Sequence, residues 1–158
     1  MPNANFSNMI TFRLAIESDL PEIILLLADD ELGKSRETLG ASPSAEYMQA
    51  FREIQSQANN EVIVGVLDKK IVATLQTTYI PTLVLEGTKR ALIEGVRVSS
   101  AFRSRGIGEK LFAFAIQRAR EHGCKIVQLT TNKKRVDAQR FYLRLGFEAT
   151  HEGMKLSI

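Results

Sequence analysis

Val96-Arg97-Val98-Ser99-Ser100-Ala101-Phe102-Arg103-Ser104-Arg105-Gly106-Ile107-Gly108 leads into a run of apolar residues at helical spacing that ends at His122 and Gly123. A β-rich segment enters a polar loop, and a loop with two glycines opens a helix. Glycine has no Cβ, so backbone N–H groups can approach a ligand, and a helix start presents unpaired donors at its positive end. Arg103 and Arg105 set cations beside those donors. This is the chemistry of a pyrophosphate cradle.

Upstream of this stretch, Ile10 to Ile16 alternates apolar and polar residues and predicts a half-buried strand. Ser18-Asp19 with Pro21 and Glu22 starts a helix whose Leu20, Ile23, Ile24 and Leu27 share a face. Asp29 to Ser42 has no apolar period and reads as a mobile, solvated acidic loop. Ser42-Pro43 opens a second helix with Tyr47, Met48, Phe51 and Ile54 on one side. Val62–Leu67 and Ile71–Ile80 form a hairpin across Asp68-Lys69-Lys70, a turn without glycine. Arg90–Val98 is the strand that feeds the loop. Downstream, the helix Gly106–His122 has an inner edge of Ile107, Leu111, Phe114 or Ala115, and Arg118 to Ala119. Lys125–Thr130 is then a strand, Arg135–Leu145 a helix and Met154–Ile158 a last strand. The order predicts one α/β domain over residues 1–158.

The 158 residues carry a net charge of +3, with 44% hydrophobic and 25% charged residues, which excludes a disordered or low-complexity chain. The longest strictly apolar run, Ile23 to Ala28, falls far short of the ~20 residues of a membrane span. No charged segment precedes an apolar stretch at the start, so no signal peptide is expected and the reading is cytoplasmic. Cys124 is the single cysteine, which rules out an internal disulfide and a multi-cysteine zinc site. Two histidines without ligand spacing make no metal site, so none is expected. Between Arg97 and Arg144 there are 12 Lys and Arg against 3 Asp and Glu, while the preceding 96 residues are acidic. Such asymmetry points to an anionic partner.

The phosphate-site alternatives fail on the same residues. G-x-x-x-x-G-K-[ST] occurs nowhere, and Leu111 stands where a dinucleotide fingerprint needs its third glycine. No G-x-S-x-G is present, which excludes a hydrolase elbow. What remains is R-x-x-G-x-G, filled by Arg103, Gly106 and Gly108. There the sequence resembles the GCN5-related N-acetyltransferase family. Ala138-Gln139-Arg140-Phe141-Tyr142-Leu143-Arg144-Leu145-Gly146-Phe147 carries the resemblance a second time, as A-x-x-F-Y-x-x-x-G-F. The order of elements agrees from Ile10 to Ile158. One position departs: Arg135 stands where the family often has Asn, with Asn132 three residues earlier.

The resemblance implies a single-domain acyl-CoA N-acyltransferase fold, with a mixed, mostly antiparallel central sheet flanked by helices. It implies acetyl-CoA as cosubstrate and a small-molecule or peptide amine as acceptor, with no nucleic acid or membrane partner. Homodimerisation is common in that family. Val96 and Val98 would offer backbone groups to the pantetheine amides. Arg103, Ser104, Arg105, Gly106, Ile107 and Gly108 would hold the pyrophosphate. Asn132, Arg135, Ala138 and Phe141 would complete the cofactor side, and Tyr142 would protonate the departing thiolate. An alkylammonium must lose a proton before it attacks, and Glu94, beside Gly95 where a bulge would open the strand, is the candidate base, with a water chain as the other route. By strict alternation Glu94, Val96 and Val98 share a face. The basic stretch is then the footprint of one anionic cosubstrate. The alternative is a sensor that binds acyl-CoA without turnover.

Overall fold

The computed structural model describes residues 9–158. The start of the chain, where the sequence carries no signal-peptide pattern, lies outside the described residues. The chain forms two compact units, one running to Gln128 and the other spanning Leu129–Ile158.

In chain order the elements are β1 (Thr11–Leu14), α1 (Leu20–Leu27), α2 (Glu31–Lys34), α3 (Ala45–Ser56), β2 (Asn60–Leu67) and β3 (Lys70–Ile80). They continue with the single turn α4 (Val84–Gly87), β4 (Arg90–Val98), α5 (Ile107–Glu121), β5 (Ile126–Leu129) and α6 (Val136–Arg144). Short 3₁₀ turns occupy Glu17–Asp19 and Ser100–Phe102. The five strands lie in the order β1-β2-β3-β4-β5, and β1 to β4 pair antiparallel throughout. The expected architecture, an α/β fold on a mostly antiparallel sheet, is the one observed.

The register sorts the first unit's side chains into two layers, because directly paired antiparallel residues point the same way. On one face, Val64 packs with Leu20, Ile23, Ile24 and Leu26 of α1 and Phe51 of α3, with Tyr47 and Met48 against them. On the other, Tyr79 and Ala91 pack with Ala119 of α5. Ile107, Leu111, Phe112, Ala115 and Ala119 are the buried residues of α5. Phe112 therefore lies inside, and Phe114, read from spacing as part of the inner edge, instead meets the Phe12 ring at 5.8 Å.

An ion-pair cluster fastens α5 to the sheet on that second face. Arg118 donates to Glu61 through Nε at 2.7 Å and a terminal nitrogen at 2.5 Å, and the Tyr79 hydroxyl donates to Glu61 at 2.8 Å. The His122 ring stacks on Tyr79 with centroids 3.8 Å apart. Burial alone would push the Glu61 carboxyl up, but Arg118 and the Tyr79 hydroxyl hold it below its ordinary value.

Three expectations change. Asp29 to Ser42 contains α2, capped by the Asp30 carboxylate accepting from the Gly33 N–H at 2.5 Å. The second helix starts at Ala45 with Ser44 as its cap, two residues beyond the Ser42-Pro43 signal. Met154–Ile158 forms no strand, and its Met154, Leu156 and Ile158 side chains are exposed. Alternation marks a segment fit to pair, but a strand also needs a neighbour's open backbone edge.

Candidate active site

β4 is where the sheet opens. Thr74 pairs with Arg97 and Gln76 with Glu94, so Gly95 and Val96 together face Leu75 alone. This is a β-bulge, and Gly95 takes the positive φ of +61° that such a kink requires. The expectation that a bulge lies beside Gly95 holds. The alternation drawn through it does not. Glu94 shares its face with Gln76 and Arg97 with Thr74, whereas Val98 pairs with Ala73 on the α5 side. The extra residue reverses the pleat, so Glu94 and Val98 point to opposite sides.

The α1 side of the sheet is covered over only part of its area. Ile71 to Leu75 of β3 are buried on both faces. From Gln76 to Ile80, however, the residues of the α1 face are half-exposed while Thr77 and Tyr79 stay buried. Leu27, at the end of α1, reaches the bulge: a Cβ on Gly95 would lie 3.7 Å from its Cδ2. Glu94 sits at that margin, exposed.

The other half of the first unit's site is the start of α5. Gly106 caps the helix in the left-handed conformation, φ 75°, without any side-chain cap. Beyond its chain neighbours and the helix's own backbone, no atom of the described residues lies within 4 Å of where its Cβ would stand, so the helix's positive end is open there. The first N–H to find a helical partner is that of Lys110, bonded to Gly106 O at 3.3 Å. The donors of residues 107–109 therefore face away from the helix, as an anion site needs.

The Arg103 guanidinium is engaged within the fold. Its Nε donates to Val98 O at 3.1 Å and a terminal nitrogen donates to Asp29 O at 2.8 Å. The Asp29 carboxylate accepts from the Ser100 N–H at 2.7 Å and from the Ser100 hydroxyl at 3.1 Å. Arg97 lies 3.9 Å from Asp30. Asp29 and Asp30 are thus tied to the end of β4 and the loop before α5, Asp29 to a residue 71 positions away that no local pattern signals. Arg105 lies over the Phe102 ring at 5.4 Å, and the Val96 carbonyl accepts from Arg97 at 2.8 Å.

In the second unit, α6 carries Ala138, Phe141 and Tyr142, and all three are half-buried. The Tyr142 ring meets Phe141 and Phe147 edge-on at 5.6 and 6.0 Å. Arg135 is the residue before the helix, and the Asn132 carboxamide oxygen accepts from the Lys134 N–H at 2.9 Å. Asn132 therefore shapes the turn into α6. Burial raises the Cys124 thiol above its ordinary value, which keeps it protonated and argues against a nucleophile. Among the described residues no cluster of three or more His, Cys, Asp or Glu is placed to hold a metal, and no helix is long and apolar enough to cross a membrane. Two surface depressions flank α3, of about 730 and 310 Å³, and neither includes the bulge or the start of α5.

A mostly antiparallel sheet bulged in β4, followed by a helix that opens on a left-handed glycine, defines the class as an N-acyltransferase fold. The chain belongs to the acetyltransferase (GNAT) family, whose model matches residues 27–147. It is 48% identical to a transcriptional regulator from Bacillus halodurans C-125, whose crystal structure superposes with a TM-score of 0.91 over 94% of this chain and 99% of that one. Glucosamine-6-phosphate N-acetyltransferase from Arabidopsis thaliana is 25% identical, with a TM-score of 0.76 over 94% and 97% of the two chains. Aminoalkylphosphonate N-acetyltransferase from Salmonella typhimurium strain LT2 is 42% identical over 59 residues, which are 37% of this chain and 38% of that protein. The match thus spans well under half of that curated relative.

Proposed function

We propose that this chain acts as one acetyl-CoA-dependent N-acetyltransferase domain, moving an acetyl group directly from the thioester to a primary amine. The observation that carries the reading is the pairing of the β4 bulge with the open, left-handed start of α5. Backbone donors of Arg103 to Gly108 hold the pyrophosphate. Lys110, Lys133, Lys134 and Arg135 lie in the basic stretch that meets the remaining phosphate. Val96 and Val98 offer backbone groups to the pantetheine arm, and the family resemblance assigns Asn132, Arg135, Ala138 and Phe141 to the same cosubstrate.

Acetyl-CoA supplies the acetyl group as an activated thioester. Alkylammonium groups have pKa values near ~10.4, so the acceptor arrives charged and must be deprotonated. Glu94, or a water it orients, takes that proton. The nitrogen lone pair then forms the new C–N bond as the C–S bond breaks, Tyr142 gives its hydroxyl proton to the departing sulfur, and the second proton shed by the nitrogen returns through water to the Tyr142 phenolate. A backbone N–H near Val98 meets the charge that develops on the carbonyl oxygen. Positioning supplies the rest of the acceleration. A cytoplasmic site of action and a homodimer agree with this reading.

Thiol release from acetyl-CoA across a panel of amines tests it. Tyr142→Phe and Glu94→Gln are each expected to slow turnover by ~10²–10⁴-fold with acetyl-CoA affinity kept. A second reading, an acyl-CoA sensor without turnover, draws support from the regulator's name borne by the Bacillus halodurans relative. That reading wins if acetyl-CoA raises the melting temperature while no amine is acetylated.

A further inference from the structure

The bare part of the α1-side sheet face carries a second feature that the transfer chemistry does not use. Arg90, four residues before Glu94, lies on the same face, because Ala91 and Ile93 between them are buried on the α5 side. At ~3.3 Å per residue their α-carbons stand ~13 Å apart. Between and beside them the floor is polar. Gln76 is opposite Glu94, Thr78 opposite Leu92, and Ile80 opposite Arg90. Asn60 of β2 joins them, accepting from Gln76 at 3.0 Å and from the Thr78 hydroxyl at 3.4 Å.

Arg90 is half-buried, and its Nε is buried with no hydrogen-bond acceptor among the described residues. Arg13, Arg52, Arg103 and Arg118 all have such partners. A buried guanidinium nitrogen left without an acceptor is costly, and a bound anion is one way such a group is completed. A guanidinium presents a planar fork of donors that matches a carboxylate, sulfonate or phosphonate.

We propose that Arg90 is the specificity-determining residue of the acceptor site, and that the acceptor is a primary amine carrying an oxyacid anion. The anion seats on Arg90, and the short chain between its two ends lies along the Thr78 and Leu92 floor and delivers the amine to Glu94. The proposal rests on the N-acetyltransferase reading, and it names the substrate class of that same site.

The test compares β-alanine, 2-aminoethylphosphonate and 6-aminohexanoate with n-propylamine and n-hexylamine as acceptors, in wild type, Arg90→Gln and Arg90→Lys. In parallel, calorimetry measures 3-phosphonopropionate binding to the CoA-loaded protein. Wild type is expected to favour an amine carrying the oxyacid over its counterpart without one by ~10–100-fold in kcat/KM, the scale of one charge-assisted pair. Arg90→Gln should bring that ratio near one, and Arg90→Lys should restore part of it. CoA affinity should be the same in all three, which reports intact folding. Equal use of amines with and without the oxyacid by wild type overturns the proposal, as does an equal loss on both kinds in Arg90→Gln. Anion binding that depends on Arg90 without acetylation of any amine keeps the Arg90 assignment and overturns the transfer reading. Absence of both anion binding and acetylation, with CoA bound, overturns both.

Discussion

Asp68 and Lys69 turn the β2–β3 hairpin with φ values of 48° and 64°, both in the left-handed region. A two-residue loop between Leu67 and Lys70 demands this, because only a primed turn matches the twist of the paired strands. Asparagine or aspartate tolerates the first position, but a lysine at the second crowds its Cβ against the following carbonyl, at ~1–2 kcal/mol. Glycine removes that strain and adds some freedom to the unfolded chain, which offsets ~0.4–1 kcal/mol of the gain. Lys69→Gly should therefore stabilise the fold by ~0.5–1 kcal/mol, or ~1–4 °C in melting temperature for a chain of this size. Calorimetry decides it, and an unchanged or lower melting temperature would show that the Lys69 stem makes compensating contacts. At the same scale, Gly95 shows how one residue redirects chemistry: its bulge puts Glu94 on the half-open floor instead of beside Val98.

The element most telling for the site is the loop from Ser99 to Gly106, held from outside by the end of α1. Asp29 accepts two hydrogen bonds from Ser100, and Arg103 joins the Asp29 and Val98 carbonyls. Asp29, in the segment leading to α2, is therefore tied to the proposed pyrophosphate loop. Asp29→Ala should weaken CoA binding by ~10-fold, the lower end for hydrogen bonds to a charged group given that Asp29 is partly solvated. Asp29→Asn, which keeps one acceptor oxygen, should lose less. Titration calorimetry with CoA reads both, and equal affinities in all three proteins would mean that the loop holds its shape unaided. The glycine-opened start of α5 was legible beforehand, since Gly106 and Gly108 sit in one short stretch before an amphipathic run. Asp29 was not, because its partner is 71 residues away and its own neighbours look like solvated acid. Arg90 was missed for a related reason. Its sequence context is an ordinary strand start, and only the sheet register places it on the face of Glu94. Met154–Ile158 erred the other way, with a clear period and no paired edge.

For the molecule as a whole, two buried carboxylates set the response to acid. Asp19 accepts from Arg13 at 2.6 and 2.9 Å and from the Ile16 N–H at 2.9 Å. The Arg13 bond, ahead of an opposing burial effect, holds its carboxyl below the ordinary range. Glu61 is held down by Arg118 and Tyr79 against a larger cost of burial. Both groups bind fewer protons folded than unfolded, so stability rises with pH while they titrate. Their contribution is complete above about pH 5 and disappears as the pH falls through the folded values. Tyr79 is pushed the opposite way by burial and by the Glu61 charge, so it stays a hydrogen-bond donor across the working range. Glu61→Gln leaves Arg118 facing a neutral amide in a half-buried pocket, which should cost ~3 kcal/mol at pH 7. It also removes one titrating group, so the difference between variant and wild type should shrink from pH 7 to pH 3. Urea unfolding at pH 7, 5 and 3 measures this. A constant gap at all three values would mean that Glu61 acts through packing alone, and that its charge does nothing to hold α5 against the sheet.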